Sequence, residues 1–335
     1  LKHKVKKIEE LPTQDAEDET PIRWFRINTI KTTPERFFKQ EPMLGLQPVS
    51  SIQEITKPGL IYKDNFIPNL YGVHPREKIT KSLPYMRGEL IIQDRASCFP
   101  AHILNYDHAH AEVIDACAAP GNKTTHSASY VNAMDVKDPV VYAFERDSKR
   151  VKILKKMCET ATGKVKRDLI QITHADFTTT TPEDFPNVTG LVVDPSCSGS
   201  GIFGRALEDS QQEQEKEEID EDRLKNLASF QYKIVKHALL FPGATKVVYL
   251  TCSIHPHENE RVVIDLLNDK DIQALGWHLE KRSNVVPEWP RRGWAQEFSS
   301  FEHPEEMAGG CVRAEPRTDG GIGFFAACFV RDKEI

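Results

Sequence analysis

The sequence predicts an open α/β sheet, mostly parallel with an antiparallel last strand, preceded by a small α+β module. Three observations predict it. From about Glu112 short apolar runs alternate with helix-period stretches, the pattern of a parallel sheet covered on both faces. The tail GIGFFAACFVRD (321–332) reads as a late strand, pairing antiparallel with WHLEK (277–281). Before Glu112 the pattern is irregular and punctuated by Pro and Gly, and 335 residues suit two domains. The division expected is a flexible acidic segment at 1–20, a small module at 21–83 and a Rossmann-like domain at 84–335, with an acidic insertion at 208–222.

Each element has its own signal. IRWFRINTI (22–30) is a plausible strand. TPERFFKQ then opens a short helix, with Thr33 as cap, Pro34 at the first helical position and Glu35 in the first turn. Pro42, Gly45, Pro48, Pro58, Gly59, Pro68 and Gly72 then recur through long connections, and LPYMRGELIIQDRASCFPAHIL leads into the second domain. There the strands are EVIDA (112–116), VVYAFE (140–145), LIQITHAD (169–176), GLVVDP (190–195) and KVVYLTCS (246–253). Helical stretches separate them: KTTHSASYVNA, then DSKRVKILKKMCETA with Val151, Leu154 and Cys158 on one face, then the amphipathic LKNLASFQYKIVKHALLF (224–241). ENERVVIDLLN comes after the fifth strand. An antiparallel ending suits a methyltransferase sheet better than a plain dinucleotide-binding one.

Composition narrows the class. No apolar run approaches the roughly 20 residues that a membrane helix needs. The first residues, LKHKVKKIEE, lack the apolar core of a secretory signal, and the absence of an initial Met leads to the expectation of a fragment. Seven cysteines, with no C-x-x-C, argue against a disulfide framework or a metal site and for a reducing compartment. The net charge of −6 is unevenly spread: residues 208–222 hold nine acids against one Lys, and 9–19 hold six acids and no base. Both runs read as solvated or disordered. The remaining body is mildly basic, which is compatible with a polyanionic partner.

In an open α/β sheet, ligands bind outside the carboxyl ends of the strands. After the first strand, small residues Cys117, Ala118, Ala119, Pro120 and Gly121 let backbone approach a ligand, and Asn122, Lys123, Thr124 and Thr125 open a helix whose amides face it. The loop is neither G-x-G-x-x-G nor a Walker A motif, which disfavours a nicotinamide dehydrogenase. Glu145 ends the second strand, where a carboxylate can accept both ribose hydroxyls of a nucleoside. Asp176, ending the third, can accept from an adenine amino group or cap a helix. The fourth strand runs into Asp194-Pro-Ser-Cys-Ser-Gly-Ser-Gly201, and the fifth into Thr251-Cys252-Ser253. Amino-directed methyltransferases carry an aromatic after the prolines at the fourth exit; a cysteine there favours attack on a ring carbon. A cysteine is most often a small buried hydrophobe, but Cys197 and Cys252 leave strands expected to be neighbours.

DACAAPGNKT, DPSCSGSG and YLTCS, in this order, resemble the Nop/Sun (Fmu-like) family of RNA (cytosine-5)-methyltransferases, and GELIIQDRAS and GGIGFFAACF look like that family too. The resemblance covers roughly residues 21–332, and the form DPSCSGSG is most similar to the subgroup acting on large-subunit ribosomal RNA. It implies S-adenosyl-L-methionine as cofactor, an RNA partner, no membrane or metal, a monomer, a role in ribosome biogenesis, and nuclear, nucleolar residence. It implies Cys252 as the nucleophile and Cys197 as the cysteine that assists release. Asp194 then meets the base edge near N3, as a donor only if protonated, and Lys123 holds Asp194 or lowers the thiol pKa. Cys117–Lys123, Glu145, Arg150, Asp176 and Asp194 line the cofactor site. Arg23, Trp24, Arg26, Lys31 and Arg36 form a candidate RNA platform. Trp289-Pro-Arg-Arg-Gly-Trp294 is a second candidate basic site. Alternatives are a tRNA target, a DNA cytosine methyltransferase, whose nucleophile would follow Pro195 directly, and a non-catalytic ribosome-assembly factor that binds RNA.

Overall fold

Five short strands pair near the N-terminus before the main sheet begins. A computed structural model describes residues 22–202 and 217–333. The first strands are β1 (Arg23–Ile27), β2 (Gln47–Val49), β3 (Leu60–Lys63), β4 (Leu70–Val73) and β5 (Leu90–Ile92), in the order β2-β3-β4-β1-β5. The last of them lies beyond Leu83. The period-2 alternation of β1 explains its sequence. Phe25 and Ile27 face Phe37, Tyr71 and Val73 in a core belonging to this sheet alone. Trp24 and Arg26 face the other way, toward the main domain. Helix α1 (Pro34–Phe37) is one turn long, and the Thr33 hydroxyl accepts from the Arg36 amide at 3.3 Å, as the sequence predicted. Helix α2 (Leu83–Met86) is capped in the same way by Ser82.

Helix α3 (Arg95–Asn105), capped by Asp94, bridges the two sheets. It was not legible in the sequence because Pro100 sits inside it, where proline removes a helical N–H.

The main sheet comprises β6 (Glu112–Asp115), β7 (Val140–Glu145), β8 (Ile170–His174), β9 (Gly190–Val193), β10 (Lys246–Thr251), β11 (His278–Leu279), β12 (Cys311–Ala314) and β13 (Phe324–Val330). Its order is β11-β13-β10-β9-β6-β7-β8, with β12 on β13. Strands β6 to β10 are mutually parallel, and β13 runs antiparallel to β10, β11 and β12. The five predicted strands and the antiparallel ending are all present; β12 is an addition. Helices α4 (Asn122–Asn132) and α5 (Ser148–Thr162) cover one face with α3, against Val113, Val141, Val192, Val248 and Leu250. Helices α6 (Glu217–Leu239) and α7 (Glu260–Leu267) cover the other, against Ile114, Phe144, Leu191, Val193, Val247 and Tyr249. Burial on both faces is why these strands read as continuous apolar runs.

The acidic run 9–19 lies outside the described residues, as does 208–216. Residues 217–222, expected to be solvated or disordered, form the first turns of α6, with 220–222 exposed to solvent.

Candidate active site

The strand order reverses between β6 and β9, and the loops leaving those two strands diverge there. That is the switch point at which open α/β sheets bind ligands. Asp115 fixes the first loop: its Oδ2 accepts from Thr124 Oγ1 at 2.7 Å. Gly121 has φ +125°, and a Cβ there would lie 3.1 Å from Leu154 Cδ1, so both backbone and packing demand glycine. Helix α4 starts at the next residue, which turns its first amides into the switch point.

Glu145 ends β7 buried, and its Oε2 accepts from the Asp147 amide at 3.1 Å. Arg150, whose helix position left its direction open, points inward: Nη1 is 3.6 Å from Glu145 Oε1 and Nη2 donates to the Ala119 carbonyl at 2.9 Å. It ties the Glu145 carboxylate to the Cys117–Lys123 loop. Asp176 caps a single turn, accepting from the amide of Thr178 at 2.9 Å and from its hydroxyl at 2.8 Å. Of its two expected roles, the cap is the one seen. Among these groups, the small-residue loop, the buried Glu145 carboxylate at the strand exit and the helix amides form a donor and acceptor set that fits a nucleoside cofactor.

Strands β9 and β10 pair in parallel, with Tyr249 beside Val193, so their exits are adjacent. Asp194 leaves β9 and forms a buried ion pair with Lys123, 2.9 Å from Nζ to Oδ2. Cys197 and Cys252, 5% and 8% exposed, bring their Sγ atoms to 3.2 Å. The Cys197 hydrogen bond is the main force raising the Cys252 pKa well above its ordinary value; burial and Asp194 add to it, and Lys123 opposes it. The expected lowering by Lys123 is therefore present but outweighed. Cys252 rests as a thiol and becomes nucleophilic when its proton leaves.

The loops carrying the thiols are held by groups whose roles the sequence did not reveal. Glu258, fully buried, accepts from the Ser198 amide and from its hydroxyl, each at 2.7 Å. Gln231 on α6 donates to Glu258 at 3.2 Å and to the Ser196 carbonyl at 3.1 Å. The Gly201 amide donates to the Cys252 carbonyl at 2.9 Å, and a Cβ at Gly201 would fall 2.1 Å from the Gly323 oxygen. Asn259 Nδ2 donates to the Ser253 carbonyl at 2.9 Å. The PHENE segment carried the signal, but an acid in a polar loop looks solvated until the fold buries it.

Both basic patches are corrected in part. Trp24 is 2% exposed, with its indole N–H on the Gly320 carbonyl at 2.8 Å. Arg26 is 1% exposed, donating to Gln93 Oε1 at 2.8 Å and Thr125 Oγ1 at 2.9 Å. Arg23 is buried as well. These side chains join the two sheets; only Lys31 and Arg36 of the expected platform are exposed. In the second patch Trp289 is buried, Arg292 donates to the Val285, Val286 and Gly309 carbonyls, and Arg291 pairs with Glu315 and Asp319.

Among the described residues no group of His, Cys, Asp or Glu could hold a metal, and no helix is long and apolar enough to cross a membrane. A family profile described as "16S rRNA methyltransferase RsmB/F" matches residues 101–330. The chain is 42% identical to "25S rRNA (cytosine-C(5))-methyltransferase rcm1" of Schizosaccharomyces pombe, over 91% of this chain and 62% of that protein. It is 34% identical to a "28S rRNA (cytosine-C(5))-methyltransferase" of Mus musculus, over 93% of this chain and 63% of that protein. It thus spans about three-fifths of the length of these curated relatives. A solved methyltransferase homologue from Pyrococcus horikoshii shares the fold, with TM-score 0.70 at 21% identity over 95% of this chain and 89% of that one.

Proposed function

The chain belongs to the 16S rRNA methyltransferase RsmB/F family, and from that membership we propose that it methylates C5 of a cytosine in large-subunit ribosomal RNA, with Cys252 as the covalent nucleophile. The observation that carries this reading is the pair of thiols, 3.2 Å apart, beside the Lys123–Asp194 ion pair at the switch point. The names of the two relatives support the rRNA target. Such a step belongs to ribosome biogenesis, and nuclear, nucleolar residence follows from it.

C5 of cytosine is a poor nucleophile. Cys252 gives its proton to the Asp194 carboxylate, the thiolate adds to C6, and the electron pair of the C5–C6 double bond moves to C5, which then bonds to the methyl group. S-adenosyl-L-methionine supplies that methyl as an electrophile. A base removes the C5 proton, the double bond reforms and the C6–S bond breaks, returning the thiolate. Asp194, once protonated, donates to the base edge at N3, and Lys123 holds the carboxylate it returns to, 2.9 Å away. Cys197 assists release. The loop Cys117–Lys123 and the Glu145 carboxylate, steadied by Arg150, hold the cofactor; Asp176 shapes the rim through its cap. The target base must be unstacked to reach two buried sulfurs.

The test is methyl incorporation into large-subunit rRNA transcribed in vitro. Cys252→Ala should reduce it to background with S-adenosyl-L-methionine affinity retained. Incorporation near the unmodified rate would remove Cys252 from the reaction.

A further inference from the structure

A recess of about 610 Å³ opens beside Cys197, lined by Arg146, Ser196, Arg223, Asn226 and Phe230 among others. Three elements build it. Arg146 follows Glu145 at the exit of β7, Ser196 and Cys197 belong to the loop after β9, and Arg223, Asn226 and Phe230 lie on α6. The spacing of Arg223, Asn226, Leu227 and Phe230, three or four residues apart, puts them on one face of that helix. Phe230 is half-buried, and the Arg146 guanidinium carbon lies 5.8 Å from the centroid of its ring. Arg146 and Arg223 are both exposed. Asp222 is the acid that lines the recess with them.

Three features single this recess out. Its lining includes Cys197, one of the two otherwise buried cysteines. It offers an aromatic ring and guanidinium planes, the surfaces on which unstacked bases rest. Arg146 stands beside that ring and Arg223 lines the same recess two helical turns away, so a backbone phosphate can be paired while a base stacks. In the basic patches expected from the sequence, Trp24, Arg26 and Arg292 are engaged inside the molecule, and the cavity beside Arg23 and Trp24 includes neither Cys197 nor Cys252 in its lining.

We propose that this recess seats the RNA strand around the target cytidine. Phe230 supplies the stacking surface, and Arg146 and Arg223 pair with backbone phosphates, so that the cytosine is handed to Cys252 past Cys197. The ligand class is single-stranded RNA, held here by stacking and charge. This rests on the proposed methyl transfer for the identity of the base, but the strand-binding claim has its own readout.

The experiment measures two quantities on the full chain. One is equilibrium binding of a cytidine-containing single-stranded RNA oligonucleotide over a salt series; the other is the KM for transcribed large-subunit rRNA. Phe230→Ala should weaken oligonucleotide binding and raise the rRNA KM by between about fivefold and a hundredfold. Arg223→Ala should lower the salt slope by about 0.7, the share of one phosphate on a single strand. Both should keep the unmodified affinity for S-adenosyl-L-methionine, which shows the fold intact. Lys225→Ala, exposed on the same helix but outside the recess, is the control and should bind RNA as the unmodified protein does. Phe230→Ala and Arg223→Ala proteins that bind RNA with unchanged affinity and slope would overturn the assignment, and the methyl-transfer reading would survive. An unmodified chain that binds the strand through these residues yet transfers no methyl would uphold the recess and sink the chemistry. No RNA binding by the unmodified chain would sink both.

Discussion

Two sulfurs 3.2 Å apart cannot both be anionic at low cost, and that sets the behaviour of single residues in this site. The Cys197 hydrogen bond is the largest influence raising Cys252, so removing it should lower the Cys252 pKa. A thiolate is the reactive form, so the rate of adduct formation rises with pH while the thiol titrates. We expect single-turnover adduct formation by Cys197→Ala to reach its plateau at lower pH than the unmodified chain. Its adduct should persist where the unmodified chain releases product. Single-turnover trapping from pH 6 to 10 reads both, and a superimposable profile would show that Cys197 does not govern the nucleophile. The closeness of the two cysteines was legible because Cys252 follows one apolar strand run directly and Cys197 lies four residues past another. Arg26 and Trp24 were misread for the matching reason: alternation shows that a strand has two faces, not what covers each.

At the scale of elements, the positions of the reactive loops come from strand order. Parallel neighbours β9 and β10 deliver Asp194, Cys197 and Cys252 to one place, and this was readable once both strands were recognised. The loops need a clamp as well, and Glu258 provides it from 60 residues away in sequence, beyond the reach of periodicity. Glu258→Gln sets an amide N–H2 against donors that need an acceptor. We expect a loss of about 1–3 kcal/mol in unfolding free energy. Methyl transfer should fall further than stability accounts for, because the Ser196–Ser198 segment loses its anchor. Denaturant unfolding beside kcat checks this; unchanged values in both would mean that the clamp is idle. Helix α3 and strand β12 escaped the sequence for local reasons, an internal Pro100 and an Arg313 that interrupts the apolar run of CVRA.

Across the whole molecule, the two sheets are joined by a shared apolar core and by buried polar groups. Arg26 reaches Gln93 and Thr125, and Asn28 donates to the Gly88 and Ala161 carbonyls. Arg26→Met should therefore release the small sheet first, visible as faster hydrogen exchange in β1 and β4 than in β9 and β10. The same interior holds histidines neutral: burial lowers His102 and His110 to about 4 and His126 well below its ordinary value. A depressed histidine costs the fold nothing above the unfolded value of about 6.5, and its penalty grows as pH falls toward 4, because only the unfolded chain then takes up the proton. The melting temperature should drop steadily from pH 7 to pH 5, with His102 and His110 each costing on the order of 2 kcal/mol at pH 5. A flat profile would contradict it. The change of pattern before Glu112 was readable, but the boundary expected at 83/84 leaves out β5, which pairs with β1. The joint, apolar residues such as Trp24 and Leu70 together with Arg26 and Asn28, was not readable, because periodicity does not say what covers a face. The most direct measurement is peptide mapping of the adduct formed with rRNA containing 5-fluorocytidine. We expect the modified base on the peptide bearing Cys252; its attachment to Cys197 or to any other residue would contradict the assigned nucleophile.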